Sequence, residues 1–134
     1  MSPNFLHIQS RYEDAEAHLA SWVGRALNVD DLDLESESNG WVTLSIDLDY
    51  VKAEDWLVLG KSFNFLYESY STSLCMGEIV FCRDQQLIRH LLVDDENLDL
   101  CVDVGTLPTE QTNPLKEWRD VWAFVDDATW MKNI

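Results

Sequence analysis

The sequence predicts an α+β domain with a mixed, mostly antiparallel sheet of four to five strands and three helices, in the order β-α-β-α-β-β-β-α, over residues 1–134. Three observations carry that expectation. Two segments alternate apolar and polar side chains with period two, as half-exposed strands do; three repeat apolar side chains with the period of a helix; and two apolar runs meet at a short turn, as a central hairpin does. A chain of 134 residues buries roughly 65 to 70% of its unfolded surface around one core. The sequence has no internal repeat and no low-complexity linker, so a single domain is expected.

In chain order, FLHIQ near the start reads as a strand. YEDAEAHLASWVGRAL follows as a helix: Ala15, Leu19, Trp22, Val23 and Ala26 share a face, and Glu13, Asp14 and Glu16 sit in the first turn, where the helix dipole favours negative charge. WVTLSIDLD alternates, placing Val42, Leu44, Ile46 and Leu48 on one face and Trp41, Thr43, Ser45, Asp47 and Asp49 on the other. AEDWLVLGKSFNFLYESY reads as a well-buried helix, with Trp56, Gly60, Phe63, Tyr67 and Tyr70 in one stripe and Gly60 allowing close approach of a strand. GEIVFC and QLIRHLLV, joined by the turn-forming RDQ, are apolar at nearly every position and predict central strands covered on both faces. NLDLCVDVG alternates again, with Leu98, Leu100, Val102 and Val104 expected inward and Asn97, Asp99, Cys101 and Asp103 outward. NPLKEWRDVWAFVDD predicts the last helix, capped by Asn113 with Pro114 in its first position; Leu115, Trp118, Trp122 and Val125 form its apolar face, and core burial is expected for both Trp118 and Trp122.

Charge narrows the function classes. Nine Lys plus Arg stand against 25 Asp plus Glu, a formal charge of -16. A field of that sign repels phosphate backbones and anionic lipid headgroups, so direct nucleic-acid and membrane binding are disfavoured; it attracts a basic protein, and it also simply keeps a small protein dispersed. The acids are concentrated: thirteen of the 25 lie in two windows free of Lys and Arg, between Arg25 and Lys52 and between Arg89 and Lys116. The opening MSPNFLHIQSRYEDAE lacks the basic and apolar regions of a signal peptide, and no apolar run approaches the roughly 20 residues of a membrane helix, so a cytoplasmic location is expected. Cys75, Cys82 and Cys101 are odd in number and lie in apolar surroundings, which suits reduced thiols used as small core residues.

Motifs for chemistry fail in turn. A calcium loop starting at Asp95 fits at Asn97 and Asp99 but places Leu100 where the turn needs Gly and Thr106 where the bidentate Glu belongs; one starting at Asp31 fails the same way at Ser36 and Val42. His7, His18 and His90 fall on three different elements without metal-ligand spacing, and Asp14 with His18 reads as a solvated helix pair. A thiol nucleophile drawn from Cys75 or Cys82 with His90 is opposed by the burial expected at Cys82. There is no nucleophile elbow and no phosphate-cradling loop. No catalytic residues, cofactor or metal are therefore expected.

What remains is surface. Asp94, Asp95, Glu96, Asp99 and Asp103 in the second window, and Asp47 and Asp49 with Trp41 in the first, have the makeup of a protein interface: an aromatic anchor supplies burial and the carboxylates supply steering and register. Trp130 in the tail is a second possible anchor.

The run GEIVFCRDQQLIRHLLVDDENLDLCVDVG followed by NPLKEWRDVWAFVDD resembles small bacterial immunity proteins, the cytosolic antidotes to toxins of contact-dependent growth inhibition and related polymorphic toxin systems. The likeness covers the last half of the chain and lies in size, acidity, a hairpin ending in an Arg-His-Leu strand and a late Trp-rich helix. It implies a protein that binds a secreted toxin domain, often a basic nuclease, and blocks its active site or substrate path; it carries over no site residues, and a monomer is expected rather than a dimer. The acidic type III secretion chaperones resemble the chain in bulk properties, and they imply instead a dimer with apolar grooves for an extended effector segment.

Overall fold

The computed structural model describes residues 4–19, 32–46 and 51–126. The class is α+β: the described residues form seven strands and three α-helices, with every strand pair among them antiparallel. The strands are β1 (Asn4–Gln9), β2 (Leu32–Ser38), β3 (Trp41–Ile46), β4 (Phe65–Ser71), β5 (Met76–Arg83), β6 (Gln86–Asp94) and β7 (Val102–Gly105). The helices are α1 (Tyr12–Leu19), α2 (Ala53–Ser62) and α3 (Trp118–Asp126), and 3-10 turns occupy Leu98–Leu100 and Pro108–Gln111. The sheet runs β2-β3-β1-β4-β5-β6-β7, so the expected four to five strands was an undercount.

Both faces of this sheet are covered near its middle. One carries Leu6, Ile8, Val42, Leu44, Phe65, Tyr67, Val80 and Cys82 beneath Ala15 and Leu19 of α1 and Trp56 and Leu59 of α2. The Trp56 ring lies 5.5 Å from Phe65 and 4.7 Å from Tyr67, between centroids. The other face carries Leu66, Ile79, Phe81 and Leu91 beneath Leu107, Leu115 and Val121. Each such Leu or Ile contributes roughly 2 kcal/mol of transfer free energy. Two glycines set the packing distances. A Cβ on Gly60 would lie 2.9 Å from Cys82 Sγ, so α2 approaches β5 as the sequence suggested. A Cβ on Gly77 would lie 2.7 Å from Cβ of Val121, which brings α3 against β5.

Three expectations need correction. The helix anticipated over AEDWLVLGKSFNFLYESY stops at Ser62, and its second half is the central strand β4. FLYESYS is buried on alternate residues of both faces, and an apolar run covered on both sides fits strand and helix periods equally; the aromatic content then favours the strand. Asn64 fixes the break: its Nδ2 donates to Gln9 Oε1 at 2.8 Å, and its Oδ1 accepts the Asp84 N–H at 2.8 Å. The last helix begins at Trp118, leaving Asn113 and Pro114 outside it. Asp120 Oδ2 accepts the backbone N–H of Lys116 and of Glu117, each at 2.8 Å, and so satisfies the first turn from inside the helix. Trp118 is buried as expected, but Trp122 is exposed, its ring 6.0 Å from Trp118 and 5.7 Å from Tyr70.

The remaining helix and strands follow the sequence where they are described. In α1, Ala15 and Leu19 are buried; Trp22, Val23 and Ala26 lie outside the described residues. β3 alternates as read, with Val42, Leu44 and Ile46 buried. β5 and β6 are the central hairpin, turning at Asp84 and Gln85, both in the left-handed region at φ 53° and 64°. Among the described residues no helix is long and apolar enough to cross a membrane.

Candidate partner-binding surface

The described parts of the two base-free acidic windows lie toward the two ends of the sheet. The first supplies the outer strand β2 with Asp33, Glu35 and Glu37; the second supplies the Asp94–Asp103 segment and the outer strand β7. Six strand spacings separate β2 from β7, about 29 Å at ~4.8 Å each. The sequence-derived candidates are thus divided. Trp41, half-buried on β3, lies next to the β2 edge, five spacings or about 24 Å from β7. Asp47 and Asp49 lie outside the described residues, as does Trp130.

Asp94, Asp95, Glu96 and Asp99 stand together. β6 ends at Asp94, whose Oδ1 accepts the backbone N–H of Glu96 at 3.0 Å and of Asn97 at 3.1 Å, a side-chain-closed turn. The Asp95 N–H donates to the Cys75 carbonyl at 3.2 Å, and the Asp94 N–H reaches Cys101 Sγ at 3.4 Å. Residues 98–100 then form one 3-10 turn rather than the expected strand. The side chains of Asp95, Glu96 and Asp99 are exposed, and among them Leu98 is 76% exposed, with Leu100 and Val104 also exposed. Leu98, Leu100 and Val104, expected inward, are thus in solvent and Val102 is only half-buried, while Asn97, Asp99, Cys101 and Asp103 are exposed as expected.

The side chain of Arg89 is only 2% exposed, and register places it on the same face of the sheet as Asp103. Nη1 donates to Asp103 Oδ1 at 2.6 Å and to the Val104 carbonyl at 3.0 Å, while Nη2 donates to Glu110 Oε1 at 3.1 Å. A buried guanidinium without carboxylates would cost several kcal/mol, and Asp103 and Glu110 supply them. Glu110 also accepts the Leu107 N–H, tying the 3-10 turn at Pro108–Gln111 to the same arginine. Asp103 thus belongs to a structural clamp, although its own side chain is 73% exposed. A crevice of about 380 Å³ opens beside it, lined by Arg89, Asp103, Glu110 and Lys116.

Two further buried polar pairs went unforeseen. His90 Nε2 lies 3.0 Å from Glu78 Oε2, and His7 Nε2 lies 3.0 Å from Glu68 Oε1 with His7 Nδ1 2.8 Å from Thr43 Oγ1. The signal was present: Arg89 and His90 inside an otherwise apolar strand demand acidic partners once both faces are buried. Of the cysteines only Cys82 is a buried core thiol, and burial pushes its pKa up to about 11; Cys75 is half-buried and Cys101 exposed, contrary to the expectation for all three. At the other edge, the Tyr12 phenol is raised by burial first and then by Glu16 and by Asp33 of β2, so the carboxylate field extends over α1.

Among the described residues no group of three or more His, Cys, Asp and Glu is arranged to hold a metal ion. Comparison with protein-family models, with curated proteins and with solved structures finds no match for this chain.

Proposed function

We propose that the protein is a non-enzymatic, immunity-type antidote that binds a basic toxin domain through the 94–101 end of the sheet and covers the toxin's active site or substrate path. The observation that carries this reading is Leu98, exposed at 76% in a short segment that also exposes Asp95, Glu96 and Asp99. An apolar side chain offers burial at the centre of an interface, and the carboxylates steer a basic surface into register. The loop is tied by Asp94 and Cys101, so little ordering cost accompanies binding. A nuclease must be basic where it holds phosphate, which makes it the toxin class this surface suits best, with inhibition in the cytoplasm of the producing cell.

The test is titration of the protein with a basic nuclease toxin domain by calorimetry and stopped flow. Leu98→Ala is expected to weaken binding by about tenfold or more, chiefly through faster dissociation. Glu96→Lys with Asp99→Lys is expected to slow association and to flatten its dependence on salt. Unchanged affinity in both variants, with the fold intact by circular dichroism, would remove the reading.

Leu57 and Val58, adjacent and exposed on α2, favour a second reading: an acidic secretion chaperone whose apolar surfaces hold an effector segment. Solution mass separates the two. A stable dimer that binds apolar peptides at α2 would support the chaperone over the antidote.

A further inference from the structure

β2 is the outermost strand at the end of the sheet opposite the 94–101 surface. Its inner edge pairs with β3, and its outer edge faces no other strand among the described residues. Every side chain from Asp33 to Ser38 is exposed, Leu34 among them at 45%. Proteins commonly guard such an edge with Lys, Pro or a bulge. Leu32–Ser38 holds no Lys, Arg or Pro, and its bulge is confined to Leu34–Ser36. The guard present is acidic: Asp33, Glu35 and Glu37 within seven residues.

An edge of that charge chooses its occupant. Two copies joined through β2 would set carboxylates beside carboxylates, and like charges across a strand pair are destabilising. A strand carrying Lys or Arg meets no such penalty. We propose that the outer edge of β2 accepts an extended basic segment of a partner protein as an added strand, its main chain hydrogen-bonding to β2 and its cationic side chains meeting Asp33 and Glu35. Glu37 has a second task, since its carboxylate accepts the Tyr12 N–H at 3.4 Å and ties the strand to α1. The exposed Leu34 supplies an apolar cross-strand contact. This edge lies about 29 Å from the 94–101 surface, so the inference stands or falls apart from the function proposed above.

The experiment uses the full chain and two capped peptides of about eight residues alternating Lys and Val, one unmodified and one N-methylated on every second amide so that it keeps its charge but cannot pair. The unmodified peptide is expected to slow hydrogen exchange of the outward-facing β2 amides by about tenfold or more and to bind more weakly as salt rises. Neither the N-methylated peptide nor the Glu35→Lys variant is expected to give that protection. Equal binding of the two peptides, protection at β7 instead of β2, or no binding of either would overturn the inference. So would β2 protection in the peptide-free protein accompanied by a dimeric mass. Should Glu35→Lys fail to fold, the two peptides on the unaltered chain still decide the matter.

Discussion

Arg89 Nη1 and Asp103 Oδ1 lie 2.6 Å apart across the β6–β7 pair, and this contact ties the last strand to the buried arginine. The partners are unequal, since the arginine is buried and the aspartate is in contact with solvent. The second carboxylate on the same guanidinium, Glu110, is nearly buried.

That asymmetry predicts unequal costs. Arg89→Met strands Glu110 in a dry site and is expected to destabilise the fold by about 3 kcal/mol; Asp103→Asn, at the wet end, is expected to cost under about 1 kcal/mol. Urea unfolding at matched m-values measures both. Similar losses for the two variants would mean that the clamp is not organised around Arg89. Asp103→Lys would set a cation against Arg89, so Asp99→Lys is the cleaner charge reversal for binding work.

His90 and Glu78 form a buried pair on the opposite face of the sheet from Arg89. A double-mutant cycle with His90→Phe and Glu78→Leu is expected to show a coupling of about 2 kcal/mol, the double variant being more stable than the sum of the singles requires. Additive losses would show that the two side chains do not act on one another.

Cys82 differs from the other thiols. Burial keeps it neutral up to about pH 11, whereas in the unfolded chain it ionises near its ordinary value of 9.0. The folded pKa is the higher one, so the contribution of Cys82 to stability is complete below about pH 9 and is lost as pH rises toward about 11. Iodoacetamide at about pH 8 is expected to label Cys101 in the native protein and Cys82 only after unfolding, as read by peptide mass. Native labelling of Cys82 at the rate of Cys101 would contradict the burial.

The contact between Gly77 and Val121 predicts that Gly77→Ala pushes α3 off β5. The expected cost is about 1 to 3 kcal/mol with a reduced near-ultraviolet signal from Trp118 and Trp122. An unchanged spectrum and stability would show that the helix accommodates a methyl group there.

Much of the architecture was legible in single segments. The alternation of WVTLSI, the twin apolar runs of the central hairpin, and the acids opening α1 each report a local rule that the fold obeys. β2 was overlooked although Asn39 and Gly40, both at positive φ, form a hairpin turn whose Asn-Gly signal stands in the sequence. β4 was not separable from a continuation of α2, because an apolar run buried on both faces satisfies either period.

The α+β class, the acidic field, the central hairpin and the clustering of carboxylates in two windows are all readable from local patterns along the chain. That the described parts of those windows lie at opposite ends of one sheet emerges in the fold alone, since strand order depends on pairings between distant segments that no local pattern encodes. The fold also settles the fate of LDLCVDVG. Alternation alone places Val104 inside, but among the described residues the sheet ends at β7 and Val104 is exposed, while Asp103, itself largely in solvent, supplies a carboxylate to the buried Arg89 guanidinium on the neighbouring strand.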